Sequence, residues 1–247
     1  MRVLKDFKGY SGSRIQLIQD GERLFVRKQG NIDRNIEQLT VLRELQIKVP
    51  TIYRITSEYF DMEYVKGYDM RAYLLNHQLE ELLNFFSEVL DKLAWNSKSE
   101  NFSRVFDQKL NLFPWDNFNL PFSQEELFAR LPKLIPVSHY HGDFTLENVI
   151  FDHSGKFVLI DPLKTEYESY VFDIAKMRQD TECYWFTKID YEPYVSKLAT
   201  IDNFFEQYPL GRHPAILILM LMRVLPYVHE IPDKEYLLSE IDRLWKS

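Results

Sequence analysis

The stretch HGDFTLENVIFDHSGKFVLIDP, residues 141–162, interleaves two chemistries. Its polar members include His141, Asp143, Asn148, Asp152 and Asp161, while residues 149–151 and 157–160 are apolar. The apolar runs read as two short strands joined at a turn through His153, Ser154 and Gly155. A hairpin spanning 148 to 161 would carry Asp143, Asn148 and Asp161 to one end of a small sheet.

Two carboxylates and a carboxamide are hard oxygen donors of the kind that suit Mg²⁺. That ion is commonly held by one or two carboxylates together with substrate phosphates, so the set implies a nucleotide such as ATP. An acid that the metal does not consume can orient an attacking hydroxyl and take its proton. Asp143, Asn148 and Asp161 are together the candidates for these two tasks.

The rest of the chain sets bounds. Its 247 residues, 45% hydrophobic, are enough to bury a sizeable core. Lys and Arg number 30 against 37 Asp and Glu, a net charge of −7 with no long basic run, which argues against nucleic-acid binding. The first residues, MRVLKDFKGY, carry too many charges for a signal peptide, so the cytoplasm is expected. The longest apolar run, at 215–222, has eight residues, and a span needs about 20, so a buried helix is expected there and no membrane contact. The single cysteine, Cys183, excludes an internal disulfide and reads as structural.

Ahead of the quoted stretch, residues 2–29 read as three strands, the last two joined at Asp20-Gly21. Residues 31–50 then take helical spacing, with Ile36, Leu39, Leu42 and Leu45 apolar, Asn31 or Asp33 as cap and Pro50 as terminator. Two more strands, near TIYRIT and YFDMEYV, precede Gly67, after which helical patterning dominates; a boundary is placed at about residue 66. Ser123 and Glu126 form a capping-box pattern that starts a helix, VSHYHGD reads as extended, and helices follow from about residue 168.

HGDFTLEN resembles the HGDxxxxN catalytic loop of the aminoglycoside phosphotransferase and choline kinase superfamily, and LIDP resembles the strand of its metal-binding aspartate. Asp161 stands eighteen positions after Asp143, which also fits that family, and the resemblance implies Asp143 as the catalytic acid-base residue with Asn148 and Asp161 as the metal ligands. VFDIAKM, with Asp173, resembles a segment that supports the active-site loops there. FVRK ends a strand at Lys28, where the family has its phosphate lysine, and EQLTVLREL resembles the helix whose carboxylate holds that lysine. Glu37 is preferred for this role, with Glu44 as rival. KGYSGS stands at the phosphate-covering turn, where the amides of Ser11, Gly12 and Ser13 would contact phosphate, although it lacks GxGxxG. DMEYVKG resembles the hinge, with the backbone of Glu63 and Val65 binding adenine and Met62 lining the pocket.

This resemblance covers about residues 8–180 and implies a protein-kinase-like α+β fold of two lobes. Residues 1–66 would form a nucleotide-binding lobe, a small antiparallel sheet with one helix, and residues 67–247 a mainly helical lobe for catalysis and acceptor binding. The implied activity is ATP-dependent, Mg²⁺-assisted phosphorylation of a hydroxyl on a sugar, amino alcohol or aminoglycoside, by a monomer or weak dimer. Two other uses stand beside it: a nucleotide-binding regulatory pseudokinase, and a kinase or AMP transferase acting on a protein side chain. His-Arg-Asp, Asp-Phe-Gly and Ala-Pro-Glu are absent, which weighs against peptide phosphorylation. The net charge leans toward a cationic acceptor.

Several of these residues also have plainer uses. His141 reads as an orienter of the loop rather than a proton carrier, and Asp173 as structural. Lys28 could be an ordinary edge-strand lysine. The aromatic segment 111–118 reads as packing, and Asp180, Glu182, Tyr184 and Trp185 serve as well on a solvated helix face as in an acceptor site.

Overall fold

The structure, a computed structural model, describes residues 1–7, 13–30, 32–187 and 192–247. Contacts divide the chain into two compact units. One holds Met1–Gln78 and Glu147–Lys164, the other Leu79–Leu146 and Thr165–Ser247. These units are discontinuous in sequence and do not follow the single cut expected at residue 66. The reason is strand pairing across a long separation, described below, which composition does not reveal.

In the first unit, β1 (Arg2–Phe7), β2 (Arg14–Asp20), β3 (Arg23–Gln29), β4 (Ile52–Ile55) and β5 (Tyr59–Glu63) form an antiparallel sheet in the order β1-β2-β3-β5-β4. Asp20 pairs with Arg23, so the connecting turn is Gly21-Glu22 rather than Asp20-Gly21; Gly21 supplies the positive φ of 61°. Helix α1 (Ile32–Glu44) buries Asn35, Gln38, Leu39 and Leu42 along one face. It stops well before Pro50, at Gln46, whose φ of 57° makes a left-handed cap from which Ile47 N–H reaches Leu42 O at 2.9 Å.

A second sheet, of order β10-β9-β6, joins β6 (Gly67–Tyr68) to the hairpin of β9 (Val149–Asp152) and β10 (Phe157–Leu159). The hairpin lies where the sequence predicts it. Asp152 Oδ1 accepts N–H bonds from Ser154 (2.9 Å) and Lys156 (3.0 Å), which shapes the turn. Helix α2 (Met70–Asn76), capped by Asp69, sets Tyr73 against Phe151 and Phe157 at ring separations of 4.9 and 5.1 Å. Each such aromatic contact adds about 0.5–1.5 kcal/mol beyond area burial.

The second unit contains α3 (Glu80–Ala94), α4 (Ser103–Asn111), α5 (Gln124–Arg130), α6 (Tyr170–Thr181), α7 (Val195–Phe204), α8 (Pro214–Val224) and α9 (Ile231–Lys246). A two-stranded pair, β7 (Lys98–Asn101) with β8 (Leu134–Val137), completes it. The capping box of Ser123 and Glu126 is formed, and residues 215–222 are buried throughout α8, as their composition predicts. VSHYHGD is not a strand: β8 ends at Val137 and a loop carries the catalytic-loop motif. Residues 111–118 do not enter the core either. They fold into a half-exposed ring cluster in which Phe113 lies 5.2 Å from Trp115 and 5.3 Å from Phe118.

Helix α6 is buried on every side and packs against α7 and α8. A helix so enclosed is ordinarily apolar. Here Asp173, Lys176, Arg178 and Asp180 are buried with it, so each of them needs a partner inside the unit. Cys183 is buried too; burial pushes its thiol up, which removes thiolate character and supports a structural role.

Gly67 tests the β6 pairing. A Cβ there would stand 2.3 Å from Phe151 O and 2.8 Å from Asp152 Cα, both backbone atoms. Gly67→Ala should therefore destabilise the chain by roughly 1–3 kcal/mol, read as a lower urea midpoint at unchanged slope.

Candidate active site

Lys28 sits near the end of β3, across from Phe60 on β5 and Ile15 on β2. Only 4% of its side chain is exposed, and its ammonium bonds Asp161 Oδ1. A buried ammonium without a counter-charge would cost several kcal/mol, so this ion pair is what allows lysine at the position. The edge-strand reading of Lys28 is excluded, since β3 is central and Lys28 is buried.

Asp161 follows β10 with φ 55°, a left-handed conformation that aspartate tolerates better than most residues. Such strained positions cluster at functional sites. Asn148 immediately precedes β9, and its carbonyl accepts the N–H of Ile160 at 2.9 Å. The hairpin thus places residues 148 and 161 at one end. Asp143, the third residue expected at that end, belongs to the second unit.

The expected partner of Lys28 is elsewhere. Glu37 lies on the exposed side of α1 and pairs with Lys164; Glu44 is exposed as well. Asn35 occupies the buried face instead, and its Nδ2 donates to Pro162 O at 2.6 Å. Helix α1 therefore holds the Asp161-Pro162 segment through a carboxamide, not through a carboxylate on Lys28.

Ser11 and Gly12 lie outside the described residues. Ser13 is described: its hydroxyl is buried, packs near Gly30 and has no hydrogen-bond partner among the described residues. Glu63 ends β5, and its N–H is taken by Thr51 O at 2.8 Å, so an adenine contact there would have to use its carbonyl. Val65 is half-buried beyond that strand, and Met62 is buried within it.

In the second unit, the loop around Asp143 is tied to α6. Asp173 accepts N–H bonds from His141 (2.5 Å) and Gly142 (2.8 Å), and Asp180 accepts that of Leu146 at 2.7 Å. The buried His141 accepts Asp143 N–H at Nδ1, 3.3 Å, in keeping with an orienting role. Asp143 Oδ1 lies 2.9 Å from Lys176 Nζ. Burial works to raise the Asp143 carboxyl, but Lys176, Arg223 and His141 outweigh it and hold the group below the ordinary value. Burial pushes Asp173 the other way, to about 7, against its two amide bonds and with the charge of Asp143 adding to the rise.

Lys176 is the residue that motif reading misses. It stands three positions after Asp173, the spacing that puts two side chains on one helix face, and this was the available signal.

A family model described as "Phosphotransferase enzyme family" matches residues 8–200. The chain belongs to that family. It is by family a small-molecule kinase, as the HGDxxxxN and LIDP motifs suggested, and it shares the fold of several solved kinases. A thermostable mutant of aminoglycoside phosphotransferase APH(4)-Ia, in its apo form, superposes with a TM-score of 0.67 at 14% identity, over 98% of this chain and 93% of that one. The ternary complex of APH(2")-IIa with streptomycin and ATP gives 0.55 at 14% identity, over 98% and 90%. Choline kinase LicA from Streptococcus pneumoniae gives 0.56 at 13%, over 100% and 93%. No curated protein sequence matches the chain. Among the described residues no helix is long and apolar enough to cross a membrane.

Two measurements test this geometry. Lys28→Met should weaken affinity for an ATP analogue roughly ten- to a hundredfold, the scale of a lost charged hydrogen bond, whereas Glu37→Gln should stay within about threefold. The second concerns Asp173. An acid whose folded value lies above its unfolded value keeps, in the folded chain, a proton the unfolded chain has released, so stability falls as pH rises between about 4 and 7. Urea denaturation should accordingly show the stability advantage of wild type over Asp173→Asn shrinking as pH rises from about 5 to about 8.

Proposed function

We propose that this chain is an ATP-dependent phosphotransferase acting on the hydroxyl of a small molecule such as a sugar, amino alcohol or aminoglycoside, in a two-lobed kinase-like arrangement. The observation that carries this reading is the buried Lys28–Asp161 pair at the hairpin end that also bears Asn148. A buried lysine beside a strained aspartate, with a carboxamide at the same hairpin end, is a set suited to polyphosphate. The APH(4)-Ia relative is known in complex with ADP and hygromycin B, which supports a nucleotide with a small acceptor.

The donor set fits Mg²⁺ as well. Asp161 and Asn148 offer hard oxygens, and among the described residues no group of three or more His, Cys, Asp or Glu could hold a metal alone. A cation held by these two oxygens would complete its coordination with phosphate oxygens and water. When bound, Mg²⁺ would neutralise charge on the phosphates.

Each remaining role belongs to a side chain or amide of the protein. Lys28 holds the α- and β-phosphates. Ser13, with Ser11 and Gly12, contacts phosphate through backbone amides and the Ser13 hydroxyl. The backbone of Glu63 and Val65 meets the adenine edge, and Glu37, paired with Lys164, stands at the margin of the nucleotide site. Asp143, kept ionised by Lys176, accepts the proton of the acceptor hydroxyl as its oxygen bonds to the γ-phosphorus; the bond to the bridging oxygen breaks and ADP leaves. The reaction belongs in the cytoplasm, where ATP is supplied, and is carried out by a monomer or weak dimer.

Asp143→Asn tests the assignment. Acceptor-dependent ATP consumption should fall at least about a hundredfold, while affinity for an ATP analogue changes less than about twofold. Undiminished turnover would sink the role of Asp143, and a product that gains AMP rather than phosphate would replace the reaction.

A further inference from the structure

The second unit contains a cation that this chemistry leaves unassigned. Arg223, near the end of α8, is half-buried, and α8 packs against α6, which carries Asp173 and Lys176. Its guanidinium carbon lies 4.9 Å from the Tyr167 ring centroid, and Nη1 contacts the Met220 sulfur at 3.3 Å. Among the described residues no carboxylate lies within the 4.0 Å of an ion pair. A guanidinium presents five N–H donors in a planar fork matched to a carboxylate or phosphate. Here a thioether and a ring face leave most of that fork unused.

The neighbouring acids are already engaged. Asp143 pairs with Lys176 at 2.9 Å, and Glu166 with Lys109 at 2.8 Å. Asp173 is taken by the amides of His141 and Gly142, and Asp180 by that of Leu146. Asp143 is paired with Lys176, so of the two cations that act on the acceptor acid, Arg223 is the one without a carboxylate partner among the described residues. Its field reaches Asp143, Asp173 and Tyr167. A cationic acceptor would meet Lys176 and Arg223 with no carboxylate set aside for it.

The geometry points to an acceptor that carries its own negative charge, a carboxylate or a phosphate near the reacting hydroxyl, held by the fork of Arg223 against Tyr167. This rests on the reading of Asp143 as the base, and it reverses the cationic preference that the net charge of −7 suggested. Net charge sums the whole surface, whereas recognition depends on the few groups that face the ligand.

The test uses the full chain and three matched classes of acceptor: glucose and glycerol as neutral compounds, glucosamine and choline as cations, glucuronate, glycerate and glucose 6-phosphate as anions. Turnover is followed with ATP and Mg²⁺, and binding by calorimetry with AMP-PNP, which needs no turnover. At least one anionic acceptor should exceed its neutral counterpart about tenfold or more in kcat/KM or in affinity, and the carboxylate and phosphate arms tell which anion is read. Arg223→Gln should raise KM or Kd for that acceptor about ten- to a hundredfold, with KM for ATP within about twofold, and Arg223→Lys should recover part of the loss. The proposal is overturned if no anion exceeds its neutral or cationic counterpart in either measurement, or if Arg223→Gln lowers kcat equally for every acceptor. Anion binding that Arg223→Gln abolishes, with no ATP consumed or with turnover indifferent to Asp143→Asn, would uphold the anion site and discard the phosphotransfer reading instead.

Discussion

A lysine ammonium withdrawn from water is tolerated only beside a fixed anion, and in the first unit that constraint couples β3 to the end of β10. Lys28 and Asp161 are 133 residues apart, and their pairing needs both the sheet and the hairpin to be in register. Gly67 lets β6 approach β9 at backbone distance, Tyr73 packs on the hairpin phenylalanines, and Asn35 holds Pro162 O. Each of these contacts restricts where Asp161 can stand. A slip of one residue in β9 or β10 would turn the apolar faces outward and carry the aspartate off the lysine.

The second unit meets a comparable constraint by enclosing a polar helix. Helix α6 offers carboxylates to loop amides that have no strand to pair with, and the loop bearing Asp143 takes its shape from those bonds. Asp173 serves two consecutive N–H groups, which suits the left-handed turn at Gly142, where φ is 87°. Arg178 is held by Asp202 at 3.0 Å, so that the opposite end of the helix is neutralised as well. Buried polar groups stabilise one arrangement when they are satisfied, and Gln179 is the exception on this helix, buried with no hydrogen-bond partner for its side chain among the described residues.

What could be read from the sequence was what is local. The apolar runs at 149–151 and 157–160 with the turn between them locate the hairpin, and with it residues 148 and 161, whereas Asp143 is marked by the HGDxxxxN resemblance. Glu37 shows the limit. A motif identifies the helix but not its rotation, and at 100° per residue the buried stripe Asn35, Gln38, Leu39 and Leu42 leaves Glu37 on the outer side. The stripe was available in the spacing, yet two of its four members are polar and read as surface. Pairing of β6 with β9 was invisible because a two-residue strand has no periodicity. Arg223 was hidden for a related reason: it closes an apolar run that reads as core, and its meaning comes from α6, which is forty-odd residues earlier in the chain.

The two carboxylates near the loop show how environment, not residue type, assigns roles. Asp143 and Asp173 are both aspartates close enough for the charge of one to raise the other. Lys176, Arg223 and His141 act on Asp143 and keep it ionised, while burial drives Asp173 up to about 7. When neighbouring acids are pushed apart in this way, a shared proton goes to the higher one, leaving the lower one as the anion. Asp173, raised to about 7, therefore takes up a proton well before Asp143 as pH falls, and the charge remains on Asp143, where a hydroxyl can use it. Exchanging the surroundings of the two residues would exchange their roles, since the side chains themselves are identical.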